Sequence, residues 1–221
     1  MTVTTLFTDD TDVTDGHVST NSIGPQTFTA LVTHDGNAVA DSPAHMAVAI
    51  IGEWPVTDRW ENIARSIENY DTGGIDAGDS VTAITMSMYG KTKQNDAGDL
   101  SLNIYISNSA SNTTIVAGDF DSFGTTAQSD GSIAQGSWST SGYNDWVFNA
   151  TGLSGFIKAG IYKCGTRDSI YDAPNNEPTW VGGAPQSNMT GWASQEAESD
   201  ERRPRLVITH GVPFTPKVLV F

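Results

Sequence analysis

Cys164 is the only cysteine among the 221 residues, so no disulfide can close within the chain and the fold must rest on packing. Positive charge is scarce: 11 Lys and Arg stand against 26 Asp and Glu. The resulting formal charge of −15 opposes any sequence-independent grip on a phosphate backbone, which sets nucleic acid aside as a partner. Long apolar runs are missing too. No stretch approaches the roughly 18 residues of a membrane-crossing helix, so no membrane partner is expected. The N-terminal segment has neither the basic start nor the apolar middle of a secretion signal, and synthesis without a signal peptide is the expectation. Helix formers are thin, because Thr, Ser, Asn and 22 Gly fill the space that Lys, Glu and Leu usually occupy.

What remains is a chain with 38% hydrophobic and 17% charged residues, too apolar to stay unfolded and long enough to bury about 70% of its extended surface. Alternation of apolar and polar residues is its main signal. Ile84, Met86 and Met88 share one side of the run Ala83–Tyr89, with Thr85, Ser87 and Tyr89 on the other. Leu100, Leu102, Ile104 and Ile106 alternate in the same way, and the turn-forming residues 94–99 between the two runs predict that they pair. Further strands are expected at Val3–Phe7, Thr27–Thr33, Met46–Ile51, Trp60–Tyr70, Trp146–Asn149, Gly160–Cys164 and Arg205–His210. One short helix is expected over Thr151–Lys158, with Thr151 as its N-cap and Gly160 as its stop. The fold class is therefore all-β, a sandwich of about eight to ten antiparallel strands with little helix. No repeat and no linker divides the chain, so one domain over residues 1–210 is expected, followed by an extension over 211–221.

Residues able to do chemistry are present without the spacing that chemistry needs. There is no Gly-x-Ser-x-Gly elbow, and His17, His34, His45 and His210 lie far apart in sequence with no metal-binding pattern. Gly90-Lys91-Thr92 resembles the end of a phosphate loop, but Thr85 occupies the position of its first glycine. A polysaccharide-degrading enzyme would need an acid pair in a cleft, which sequence adjacency cannot reveal. The expectation is a protein that is not an enzyme. Asp9, Asp10, Asp12 and Asp15 crowd one early loop, where dense carboxylates read either as a structural calcium site or as a solvated acidic turn; no other cofactor is expected. Of the six tryptophans, Trp60 and Trp146 lie in apolar strands and read as core. Trp180 and Trp192 lie in loop-like surroundings and, with Tyr89, are candidates for contacting carbohydrate or a partner subunit. Cys164 reads as a small buried filler.

The run Arg65-Ser66-Ile67-Glu68-Asn69-Tyr70-Asp71-Thr72-Gly73-Gly74-Ile75 precedes the alternating strand Ala83–Tyr89. It is followed later by Ser141–Trp146, Tyr171-Asp172, Pro178-Thr179-Trp180 and Arg203–His210. This order resembles the jelly-roll domains of phage virion and bacterial surface structural proteins, which look like carbohydrate-binding modules. The similarity covers roughly residues 45–210, and the opening segments Val3–Phe7 and Asp15–Val18 are similar as well. Within the resembling run, Arg65 and Asp71 read as a structural pair that fixes the turn after their strand, with ligand contact as the alternative.

The resemblance implies a jelly-roll sandwich and a non-enzymatic virion role: an exterior head decoration or cement subunit, or a tail or fibre subunit, of a phage. Its partners would be other virion proteins or copies of itself. The closing run Val218-Leu219-Val220-Phe221 does not match the family and reads as an assembly tail that adds a strand to a neighbour's sheet. The alternative is a carbohydrate-binding module or adhesin that recognises host surface polysaccharide.

Overall fold

The computed structural model describes residues 1–8, 13–41, 45–52, 56–95, 100–179, 187–193 and 202–213, with side chains at 22–25, 95 and 187–193 left aside. Thirteen strands lie within those residues. The first seven are β1 (Thr2–Phe7), β2 (Asp15–Gln26), β3 (Ala38–Asp41), β4 (His45–Gly52), β5 (Trp60–Asp71), β6 (Ser80–Asn95) and β7 (Ser101–Ser107). They are followed by β8 (Phe123–Ala127), β9 (Ile133–Ala134), β10 (Tyr143–Val147), β11 (Ile161–Asp168), β12 (Ser187–Ala193) and β13 (Arg205–Gly211). The number exceeds the expected eight to ten because β3, β8 and β9 are only two to five residues long, too short to leave a periodic signal.

All described strand pairs are antiparallel, and they sort into two sheets. The first sheet has the order β1-β13-β6-β10. The second joins β6 to β12, β4 and β5, continues through β11 to β7 with β8 and β9, and carries β2 and β3 on the other side of β5. Strand β6 therefore belongs to both. Residues Ser80–Tyr89 pair with β13 and β10, and Gly90–Asn95 pair with β12. The passage from one sheet to the other falls at Gly90, where a side chain has no room: an added Cβ would lie 1.8 Å from Ser139 O and 2.6 Å from Trp138 Nε1. Gly90→Ala is accordingly expected to cost about 2 kcal/mol or more by overpacking. At this chain length that lowers the thermal midpoint by roughly 4–8 °C, readable by circular dichroism.

The core lies where side chains of the two sheets meet. Ile84, Met86 and Met88 of β6 and Leu206 and Ile208 of β13 are fully buried, in one cluster with Leu102, Ile104, Tyr162 and Cys164 of the second sheet. Trp146 of β10 reaches across and donates its indole N–H to Leu102 O at 2.9 Å, with Trp138 packed against it at 5.9 Å. Trp60 and Cys164 are buried as expected.

Strand β5 departs from simple alternation, with every residue from Ala64 to Tyr70 buried. The reason is that neighbouring structure covers both of its faces. Tyr70 and Tyr162 enter the apolar core, while Arg65 and Asn69 bond to the carbonyls of Phe120 and Asn112 in the connection before β8. Polar residues inside such a doubly covered strand need internal partners.

Four local expectations are corrected. Thr27–Thr33 is not a strand but holds helix α1 (Phe28–Val32): Thr27 Oγ1 accepts the Ala30 N–H at 3.2 Å, and Phe28 and Leu31, three residues apart, bury one face. The strand expected at Trp146–Asn149 runs earlier, as Tyr143–Val147. Asn149, not Thr151, caps helix α2 (Ala150–Gly155) by accepting the Gly152 N–H at 2.8 Å, and that helix ends well before Gly160. Strands β6 and β7 do not pair with each other. β6 pairs with β10, β12 and β13, and β7 with β8, β9 and β11, because the covered apolar faces of both runs are satisfied by strands distant in sequence.

Candidate functional site

The most heavily paired charged group sits in the second sheet. Arg65 in β5 and Arg167 in β11 both grip Asp172, which lies just beyond β11. Arg65 donates Nε to Asp172 Oδ2 at 2.9 Å and Nη2 to Oδ1 at 2.6 Å; Arg167 repeats the pattern at 2.9 and 2.7 Å. All three side chains are almost fully buried. Arg65 also donates to Phe120 O at 2.6 Å, and its guanidinium stacks 3.6 Å above the Phe120 ring. Burial pushes the Asp172 carboxyl up, but the two guanidiniums and their hydrogen bonds outweigh it and hold it below the usual carboxylate range. The expected Arg65–Asp71 pair is thus corrected. Asp71 accepts the Gly73 N–H at 2.7 Å and fixes its own turn, while the arginine finds a carboxylate more than a hundred residues later.

A second buried charge centre lies across β2 and β5. Asp15 and Glu68 are paired positions on these strands, and neither side chain is exposed. Asp15 accepts the Thr8 hydroxyl at 2.8 Å. Both carboxyl oxygens of Glu68 are buried without a hydrogen-bond partner, and the hydroxyls of Tyr70 and Tyr162 share that condition. Ser66 Oγ sits nearby but is engaged with Thr166 Oγ1 at 2.6 Å. Burial pushes the Glu68 carboxyl well above its ordinary range; the Ser66 hydroxyl opposes this, and the neighbouring Asp15 adds to it. Of the four proposed calcium ligands, Asp15 lies in this interior strand and Asp9, Asp10 and Asp12 lie outside the described residues. The described residues contain no group of three or more His, Cys, Asp or Glu suited to a metal.

The outward face of the first sheet carries a regular pattern. Cross-strand partners Thr5, Val207, Thr85 and Val147 form one row over four strands, and Phe7, Arg205, Ser87 and Asp145 form the next. Val3 and Val147 are 65% and 60% exposed. Among the described residues β1 pairs only with β13 and β10 only with β6. Tyr89 belongs to one corner of it. Its ring meets Tyr143 edge-on at 5.5 Å, with Arg202 over it at 4.9 Å, and Arg205 lies 4.0 Å above Tyr143. Trp192 lies on β12 with its side chain outside the described set; Trp180 and the tail Val218, Leu219, Val220 and Phe221 are likewise outside it.

Asp172, Arg167 and Glu68 escaped sequence reasoning. Arginines 65 and 167 carried a usable signal, since each interrupts a strand-like run in a chain with few cations, whereas Asp172 is one of many acids. No family model matches this chain, and no curated protein matches it.

Proposed function

We propose that the chain is a non-enzymatic structural subunit of a phage exterior, a head decoration or cement subunit or a tail or fibre subunit, built on a jelly-roll sandwich. The observation that carries this reading is the outward face of the first sheet: rows of Val and Thr between β1 and β10, each with one described partner, on a chain whose net charge is strongly negative. Such a face offers neighbours a flat apolar contact and main-chain groups at its margins. The pairing of β1 with β13 and the segmental resemblance of residues 45–210 support the jelly-roll assignment. Partners are then other virion proteins or copies of the same chain, reached through β1 or through the run Val218–Phe221.

Charged substitutions on this face test the reading without touching the core. Val3→Lys with Val147→Lys should leave stability within about 0.5 kcal/mol, since both sites are solvent-facing. Incorporation into particles, measured by quantitative blotting of purified virions, should fall at least tenfold. Removal of residues 212–221 is expected to release the protein from particles while the sandwich stays folded. Normal incorporation of both variants would overturn the proposal.

A further inference from the structure

The two cross-strand rows on the outward face of the first sheet carry one base and one acid, Arg205 and Asp145, so this patch is neutral on a chain of net charge −15. Copies of so acidic a chain repel one another, and a neutral patch is where two of them can approach without that repulsion. Both charges are also unpaired. Among the described residues neither side chain makes a hydrogen bond or an ion pair. They flank Ser87 in one row, about 10 Å apart across β6, too far to bond each other directly through their backbones' positions alone. Arg205 instead reaches over β6 and stands 4.0 Å above the Tyr143 ring on β10. Of its three nitrogens only Nε is enclosed, so both Nη atoms face solvent. A guanidinium laid on an aromatic ring is held in place while its N–H edge stays available to a carboxylate. Asp145, two residues from Tyr143, is exposed.

Equal numbers of the two signs point to one kind of occupant. A strongly acidic partner would be matched by an excess of bases and a basic one by an excess of acids, whereas one of each suits a surface that meets itself. In a two-fold pair, residue i of one copy touches residue j of the other and j touches i, so the Arg205–Asp145 contact is made twice. Around it lie Thr85 and Val207, both half-buried, and the exposed Val147, whose apolar surface leaves water in the same step. We infer that the outward face of the first sheet binds a second copy of this chain, with reciprocal ion pairs between Arg205 of each copy and Asp145 of the other. The inference rests on the reading of that face as a contact surface and names its occupant.

Sedimentation equilibrium of the full-length chain at neutral pH and low salt should show a monomer–dimer equilibrium that shifts toward monomer as salt is added. Asp145→Arg and Arg205→Glu should each weaken the dimer at least tenfold, because each sets like charges against one another. An equimolar mixture of the two variants should restore it, since each then supplies the charge the other lacks; an ion pair within one chain predicts no such recovery. Circular dichroism checks that both variants fold, and should Arg205→Glu fail to, Asp145→Arg at its exposed site decides by its own loss of dimer. A natural chain that stays monomeric at roughly 0.1 mM, a dimer indifferent to Asp145→Arg, or a mixture of folded variants that stays monomeric would each overturn the inference. A monomeric chain whose Val3→Lys, Val147→Lys variant still drops out of particles would sink this inference and leave the assembly reading standing. A dimer with the expected recovery, together with normal incorporation of that variant, would do the reverse.

Discussion

Replacing Asp172 by Asn is expected to destabilise the protein by about 3–5 kcal/mol, the usual cost of leaving buried charge without its partner. Two guanidiniums converge on this one carboxylate, and both of its oxygens accept from each. Asparagine keeps the shape but removes the charge, so Arg65 and Arg167 would face each other with no anion between them. Urea denaturation at pH 7 reads the loss directly, and a change below about 1 kcal/mol would refute the assigned role. The pH dependence supplies a second signature. Because the folded carboxyl lies below its ordinary value of 3.8, its contribution is present above that value and disappears as pH falls through the folded value. The natural protein should lose stability on that acid limb, and Asp172→Asn should lack this component.

Glu68 is expected to act with the opposite sign. Its folded carboxyl is raised well above the ordinary 4.5, so folding takes up a proton between that value and the folded one. The associated stability is complete below 4.5 and is lost as pH rises through the folded value. Asp168, pushed up to about 6 chiefly by burial, adds a loss between 3.8 and that point, although the N–H groups of Ser101 and Tyr171 oppose the shift. Glu68→Gln should flatten the alkaline side of the stability profile. Glu68→Met, which removes two unpartnered buried oxygens while keeping the length of the side chain, should stabilise by about 1–3 kcal/mol at pH 8. With Asp172 limiting the acid end and Glu68 and Asp168 the other, the optimum falls in the mildly acidic range. A profile rising steadily from pH 5 to 8 would contradict these assignments.

Some of this was legible along the chain and some was not, and the difference is one of sequence distance. Met86 and Met88 alternate with Ser87 and Tyr89, so β6 could be read from four consecutive residues. β1 and β13 were legible for the same reason. Helix α1 was not, because it spans only five residues after its Thr27 cap, and the single pair Phe28 and Leu31 is too little to set a helical period. Strand β5 was placed correctly, but its polar members were harder to read. That Arg65 meets Asp172 and Glu68 lies beside Asp15 follows from strand order, which no local pattern encodes. The meeting of His17, Ala49 and Asn62 on one face is more remote still, since it follows only after three strands have taken their register.

Strand β6 runs through both sheets, and this has a mechanical meaning. A pull on the outward face near Ser87 travels along unbroken covalent backbone through Gly90 into the pairing with β12. Tension applied to that face would therefore reach the second sheet as strain along a peptide chain, and separating the two layers requires stripping one strand from three neighbours.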